Sequence, residues 1–336
     1  MRSENAIMNS RREFLSNALG IALVTASTWP IRADQARSML GQSDSRTSNS
    51  GSTTQKRSLR WDVFLTPSIP AAAIDLAPGE KERPWPPISS TLISGERDAV
   101  LVDTPITVEQ SRALADRVVA SGKNLTTIYA THGHGDHFFG TSTVLERFPG
   151  ARFVARPDVI KVMRQQASPE SLATFWNPRF PGQISSHLAI ADELTGNVIN
   201  LEGHDLVSVP LGFTDTVRTT CLHVPSIGLI VAGDAAYNGD HLHLSESPDQ
   251  QRRHEWIAAL DKMESLKPRA VIAGHKRVGN DDSPRIIGET RKYIRDFERL
   301  AMQTTTAREL YDEMLNLYPD WINRGALWSS VRAIRT

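Results

Sequence analysis

Residues 131–137 read Thr131-His132-Gly133-His134-Gly135-Asp136-His137 and follow directly on a strand-like run at 125–130. Four potential metal ligands fall within six residues, and they cannot all point into an apolar core. The intervening glycines allow tight backbone turns, so that the side chains can converge. Imidazole together with carboxylate suits zinc, iron, nickel or manganese, and the lack of cysteine disfavours softer sites. A solvated polar turn is the competing reading, and it gives no reason for so many ligating side chains at this density.

Upstream of the motif, residues 90–103 hold two apolar runs around Gly95-Glu96-Arg97-Asp98, the pattern of a hairpin. Residues 108–121 carry apolar positions at helical spacing and end at Gly122, a helix with a glycine stop. Downstream, 138–148 reads as helix, 152–155 as a short strand, and Pro157-Asp158 opens another helix. Three apolar runs within 205–233, separated by Gly and Pro turns, suggest an antiparallel meander. An amphipathic helix over 252–266 stops before Pro268, and a strand over 270–273 leads into Gly274-His275. The tail from 286 is helical in pattern, with Trp321 and Trp328 as packing anchors. No repeat of fixed period appears. Hairpins, then strand–helix alternation, then a second such set indicate an α/β fold with sheets packed inside helices.

Composition narrows the function classes. Of 336 residues, 38 are Lys or Arg and 38 Asp or Glu, a formal net charge of zero that removes the usual argument for a nucleic-acid partner. The single cysteine, Cys221, excludes an internal disulfide framework and multi-cysteine metal sites, and its apolar strand makes it a small core residue. His254-Glu255 has Ala258 where a zincin would place its second histidine. The G-x-S-x-G and S-x-x-K patterns of serine hydrolases do not occur.

The first residues read as leader and tether. Ser10-Arg11-Arg12-Glu13-Phe14-Leu15 precedes an apolar stretch over 14–26, shorter than the roughly 20 residues a membrane span needs. The layout is that of a signal peptide and resembles the twin-arginine export signal. It implies a leader over 1–36, a periplasmic or otherwise exported protein, and no stable membrane insertion after export. Residues 41–57 contain no hydrophobic residue, so 37–58 is expected to be a flexible polar linker. The folded part is then expected to begin near Leu59 or Trp61, and without its basic leader the mature chain is slightly acidic.

The histidine-rich block resembles the hallmark of the metallo-β-lactamase superfamily of binuclear hydrolases, H-x-H-x-D-H, with His132, His134, Asp136 and His137 in its positions. Gly233-Asp234 after an apolar strand, Gly274-His275 after a late strand, and the hairpin ending in Leu101-Val102-Asp103-Thr104 follow the same family pattern. The resemblance covers roughly 59–285. It implies a four-layer αββα sandwich with the metal site at one edge between the sheets, and a helical extension over 286–336 packing on that domain. It further implies that His132 and His134 bind a first metal, that Asp136, His137 and His275 bind a second, and that Asp234 bridges. The cofactor would be one or two Zn2+ ions, with iron or manganese left open, and the partner a small-molecule substrate.

One position departs from the family. The first metal there takes a third histidine from a G-H-T/S turn, which here reads Leu211-Gly212-Phe213-Thr214-Asp215-Thr216. Phenylalanine cannot ligate. His204 and His223 are the nearest histidines in sequence, and neither occupies the turn. Three outcomes stay open: one metal only, at the second position; two metals, with water completing the first shell; or a fold kept without catalysis. The resemblance implies an exported metal-dependent hydrolase, in which a cation lowers the pKa of water to about 7. The resulting hydroxide would attack an ester, lactone, thioester or amide-type substrate. Asp136 would orient the nucleophile and take its proton. Tyr237 would bind substrate by donating to the developing oxyanion, against the plainer reading of a packed aromatic with its hydroxyl at the surface. His241 and His243 alternate in the following loop, at the entrance or simply solvated. The alternative function is a non-catalytic or weakly active metal-binding member, because of Phe213. An iron-dependent oxygenase would need an intact first site.

Overall fold

Ala99 and Leu101 pack into one apolar cluster and Val100 and Val102 into another, so this strand is buried on both faces. Such a strand reads as a continuous apolar run rather than an alternating one. A computed structural model describes residues 58–335; the leader and nearly all of the linker expected at 1–58 lie outside the described residues.

The run belongs to a six-stranded sheet: β1 (Arg60–Leu65), β4 (Ser89–Ser94), β5 (Asp98–Val102), β6 (Asn124–Tyr129), β7 (Arg152–Ala155) and β8 (Asp192–Glu193), in that spatial order. The β1–β4–β5 pairs are antiparallel and the β5–β6–β7–β8 pairs parallel. Between β1 and β4 the chain forms a small separate ribbon of β2 (Ile69–Ala71) and β3 (Arg83–Trp85). A second sheet runs β13 (Ala270–Lys276), β12 (Leu229–Asn238), β11 (Thr219–Val224), β10 (His204–Gly212) and β9 (Val198–Leu201). It is the expected antiparallel meander, with β13 added in parallel to β12.

Three apolar clusters define four layers. Val100, Val102, Tyr129, Leu222, Val231 and Ile272 fill the space between the sheets. The outer face of the first sheet, through Leu101 and Ile128, packs with Leu114 of α1 (Val108–Ala120), Val144 of α2 (Thr141–Arg147) and Met163 of α3 (Pro157–Gln166). After two short turns, α4 (Pro169–Ser171) and α5 (Asn177–Arg179), the remaining helices cover the second sheet. These are α6 (Gln250–Ser265), α7 (Arg285–Gln303), α8 (Ala307–Leu317) and α9 (Arg324–Ala333). Trp321 and Trp328 pack against that cluster as anchors. This is the αββα sandwich that the sequence implied, and no helix among the described residues is long and apolar enough to cross a membrane. The helix expected from 138 starts later, at Thr141, because 135–137 form a separate tight turn.

One acidic side chain ties the two sheets together at their hairpins. Glu202 and Gly203 make the two-residue turn between β9 and β10 with φ of +50° and +82°, the left-handed pair that matches strand twist. The Glu202 carboxylate reaches the β4–β5 turn and accepts hydrogen bonds from the backbone N–H groups of Glu96, Arg97 and Asp98 at 2.7, 2.7 and 2.8 Å. Those three bonds hold its pKa down to about 2. A folded-state value below the unfolded value of about 4.3 means that the stabilisation is present above that pH and is lost as pH falls toward the folded value. We therefore expect Glu202→Gln to melt a few degrees below wild type at pH 7. The gap should close between about pH 4.3 and 2, where wild type itself becomes protonated; thermal melts across that range check it, and a gap independent of pH would refute the clamp.

Candidate metal centre

The histidine-rich loop leaves the C-terminal end of β6 and is fastened before it turns. Asp103, at φ +58° just after β5, accepts from the Thr131 backbone N–H and from its hydroxyl, both at 2.8 Å. The Thr131 carbonyl accepts from the Thr220 N–H and hydroxyl of β11, at 3.0 and 2.6 Å, which links the loop to the second sheet. The loop glycines serve close approach rather than unusual torsion: a Cβ on Gly133 would lie 2.5 Å from Val162 of α3. On the opposite sheet, Gly233 has φ +54°, and a Cβ on Gly274 would lie 2.1 Å from an Asp234 oxygen. These two glycines let β12 and β13 press their carboxylate and imidazole against the loop.

The structure brings the six side chains implied as ligands into one buried cluster. Asp136, His137 and His275 form one ligand group, with candidate atoms within 4.8 Å of one another. Asp234 stands between the groups: His137 Nε2 lies 3.2 Å from its Oδ1, and His275 Nε2 and His132 Nε2 lie 3.3 and 3.9 Å from its Oδ2. His275 Nε2 is also 3.5 Å from Asp136 Oδ2. The remaining ring nitrogens are occupied from outside. His275 Nδ1 donates to the Pro87 carbonyl (3.0 Å), His132 Nδ1 meets the Thr131 hydroxyl (3.0 Å), His134 Nε2 meets Glu246 (3.0 Å), and His137 Nδ1 lies 3.3 Å from Asp103. Metal-ligating histidines are held this way, with the second nitrogen engaged by a carboxylate, carbonyl or hydroxyl.

The inward atoms fit a cation. His132 Nε2, His137 Nε2, Asp234 Oδ1 and Asp215 Oδ2 are buried with no hydrogen-bond partner, a costly state for polar atoms unless something binds them. The donor set of imidazole nitrogen and carboxylate oxygen suits zinc, iron or manganese.

The first group is richer than the sequence suggested. It comprises His132, His134, Asp234 and Asp215, with Asp215 Oδ2 3.0 Å from His134 Nδ1. Asp215 thus stands beside the two histidines and the shared carboxylate expected at this position. A bulge at the end of β10, between Pro210 and Gly212, sets the turn, and the ligand-type side chain comes two residues after Phe213. Phe213 lies beneath the Arg252 guanidinium, 4.8 Å from its ring centre. His204 and His223 do not reach the site. At about 3.4 Å per strand residue they stand roughly 27 Å from Gly212 and roughly 14 Å from Thr219 along their strands.

Three further side chains take definite places. Tyr237 is buried rather than placing its hydroxyl at the surface; it lines the cavity, and its hydroxyl donates to Asp234 Oδ2 (3.2 Å). His241 is not a solvated loop residue: it is fully buried against the Tyr293 hydroxyl (2.8 Å), and burial pushes its pKa down to about 3. His243 does line the cavity, beside His134. Sequence reasoning missed Trp85, whose indole N–H donates to Asp136 Oδ2 (3.0 Å), and Glu246, which accepts from Thr216 (2.6 Å) while facing His134.

Electrostatics here are dominated by carboxylates. Burial opposes charge on His137, yet Asp234 and Asp136 outweigh it and lift its pKa to about 10. His134 and His275 are raised against the same burial cost, by Glu246 and Asp215 and by Asp234 and Asp136 respectively. Protons on these rings and a divalent cation compete for one negative field.

A cavity of about 400 Å³ opens beside the cluster. Its walls are aromatic: Trp85 meets Trp176 and Phe180 at centroid distances of 5.8 and 5.2 Å, and Phe175 meets Trp176 at 4.8 Å. Phe175 and Trp176 sit on a wide helical turn, Leu172–Trp176, between α4 and α5. Arg83 and Arg179 line the cavity as well. Both meet Asp75, as does Arg332: the Asp75 side-chain oxygens lie 3.3 Å from Arg179 and 3.5 Å from Arg332, and Arg83 donates to the Asp75 backbone carbonyl at 3.0 Å.

Comparison with known proteins agrees with the geometry. The profile of the metallo-beta-lactamase superfamily matches residues 83–275, more than half of the chain. Among solved structures, a metallo-beta-lactamase family protein from Thermus thermophilus is 20% identical with a TM-score of 0.56, covering 81% of this chain and 91% of its own. The metallo-beta-lactamase DIM-1, exposed to ceftazidime, is 15% identical with a TM-score of 0.50 over 72% of this chain and 99% of its own. FIM-1 from Pseudomonas aeruginosa, in a mono-zinc form, is 14% identical with a TM-score of 0.50 over 71% and 92%. At these identities the likeness is one of fold. No curated protein matches the chain. Profile, layer order and the sequence order of the clustered ligands converge, and the chain belongs to the metallo-beta-lactamase superfamily.

Proposed function

We propose that the protein is an exported metal-dependent hydrolase acting on an ester, lactone, thioester or amide-type substrate. The observation that carries this reading is the convergence of His132, His134, Asp136, His137, Asp234 and His275 on one buried point, with inward atoms left unpartnered. His132, His134 and Asp234 would hold one ion, and Asp136, His137, His275 and Asp234 a second. Bound there, a divalent cation supplies Lewis acidity and lowers the pKa of water to about 7.

The chain's own residues do the rest. Asp136 faces both the cluster and the cavity, so it is placed to orient the attacking water and accept its proton. Trp85 fixes Asp136 through its indole N–H, and Tyr237 fixes Asp234 through its hydroxyl. The aromatic walls exclude water from the acyl group and accept a flat apolar body. Three guanidinium groups gather around Asp75: Arg179 and Arg332 pair with its carboxylate, Arg83 donates to the Ile74 and Asp75 carbonyls, and the Arg179 Nε is buried without a hydrogen-bond partner. That surplus of positive charge favours a substrate carrying an anionic group at the end remote from the scissile bond.

Three outcomes follow. Chelation should abolish turnover of aryl ester or lactone probes, and zinc or manganese should restore it. Asp136→Asn should lower kcat by about 10²–10⁴-fold in the metal-loaded protein; a variant with wild-type kcat would remove Asp136 from the chemistry. Arg179→Met should raise KM for a carboxylate-bearing ester and leave that for its neutral analogue unchanged, and an equal effect on both would refute the anion subsite. Export is tested apart from chemistry: Arg11→Lys with Arg12→Lys should retain the chain in the cytoplasm, as cell fractionation reads.

A further inference from the structure

We propose that Asp215 is the third protein ligand of the first metal position, taking the place of the imidazole that Phe213 cannot offer. The inference deepens the hydrolase reading and rests on it. Asp215 is fully buried, and its two oxygens are differently placed. Oδ1 accepts from the Thr214 hydroxyl at 2.9 Å, which fixes the carboxylate plane. Oδ2 has no hydrogen-bond partner and lies 3.0 Å from His134 Nδ1. A buried carboxylate oxygen left bare in this way is expensive unless a cation or a proton-bearing ring completes it.

The surroundings prepare that oxygen for coordination. Glu246 holds His134 from its Nε2 side, so Nδ1 is the nitrogen that faces Asp215. His132 Nε2 and Asp234 Oδ2 complete the same group of four. The turn is secured from behind, with Ser247 donating to the Thr214 carbonyl (2.9 Å) and Thr214 N–H to the Thr216 carbonyl (2.9 Å). Phe213 packs beneath Arg252, which itself donates to the Glu246 carbonyl (3.1 Å). The residue that replaced a ligand thus braces the segment carrying Glu246, while the turn supplies its donor from Asp215.

The substitution changes the character of the site. Two imidazoles and two carboxylates carry charge −2 and neutralise a divalent cation, where three imidazoles and one carboxylate would leave +1. Added carboxylate shifts preference toward harder ions such as Mn2+ and Fe2+. The added anionic donor also leaves the ion less able to polarise bound water than a third imidazole would, so the first position becomes a weaker Lewis acid than a three-histidine site and matches the two-imidazole, two-carboxylate set of the second.

The test reads metal, not turnover. Full-length protein is dialysed against buffered Co2+, and bound metal is counted by mass spectrometry and by titration calorimetry. Wild type should hold two equivalents. Asp215→Asn, isosteric and still able to accept from Thr214, should hold one tightly and bind the other more than about 100-fold more weakly, beyond the loss typical of a second-shell change. Phe213→Ala, which removes no donor, should keep both. Two equivalents of unchanged affinity in Asp215→Asn would overturn the assignment and leave the hydrolase reading standing, whereas no metal in wild type would overturn both. Anomalous diffraction from wild-type crystals grown with zinc decides the matter without a variant. Asp215 Oδ2 should lie about 2.0–2.2 Å from the first ion, and an ion with no contact to it would refute the proposal.

Discussion

Buried negative charge is the constraint around which the molecule is organised. Asp103, Asp136, Asp215 and Asp234 are each 4% exposed or less, too little for water to hydrate them, and they stand within one small volume. Four carboxylates so placed repel one another and cannot repay their desolvation unless positive charge is supplied. The chain provides two means. Imidazoles interleaved among them can carry protons, which is why His134, His137 and His275 are all pulled upward. A divalent cation supplies the same charge and leaves the rings neutral, as ligands must be. Loading and protonation are thus alternatives at one site, and acid favours release of metal.

The position of the cluster turns this local need into a property of the fold. His132, His134, Asp136 and His137 come from a loop of the first sheet, whereas Asp215, Asp234 and His275 come from the second. The sheets are joined here by Thr220 on the Thr131 carbonyl and by the short pairing of Ile88 with His275. Their apolar interlayer would hold them face to face without specifying this edge to a fraction of an ångström. The polar contacts at the edge do so, through glycines at 233 and 274 that admit no side chain. A ligand bound across both sheets stabilises only the assembled sandwich, so metal affinity is drawn partly from folding free energy.

Much of this was legible in the sequence, for a physical reason. H-x-H-x-D-H ends a run of apolar residues, and so dense a cluster of ligating side chains has few explanations besides a site; Gly233-Asp234 and Gly274-His275 joined it only through their order in the family pattern. The four layers followed from the family resemblance, and β5 and β12 agree with it: both are buried along nearly their whole length and must be covered on both sides. What could not be read was set by contacts distant in sequence. Asp215 sits two residues beyond the place where an imidazole was sought, in a turn that follows a bulge at the end of β10 and is held by Thr214 and Ser247. Trp85 lies on a three-residue strand containing proline, which carries no periodic signal. Tyr237 offered a hydroxyl to either solvent or substrate, and the packing gives it to Asp234. His241 and His243 alternate as a solvated loop would, yet the helical tail covers the first and the cavity claims the second.

The cavity joins two opposed electrostatic ends. At one end lie carboxylates whose charge exceeds what the histidines neutralise unless cations are bound. At the other, three arginines face one aspartate, and the mutual repulsion of Arg83 and Arg179 adds to burial in lowering the Arg83 pKa. Between them stand Trp85, Phe175 and Trp176, which contribute area and little charge. An anionic ligand entering the metal-free protein meets repulsion at one end and attraction at the other, and so is drawn toward the arginines. On the proposed reading, cations at the cluster would remove the repulsion and let an acyl group approach it while an anionic tail stayed on Arg179. Loading with metal would then govern the orientation of substrate as well as its chemistry, and a carboxylate at position 215 would strengthen that dependence by adding one more negative charge for the cations to offset.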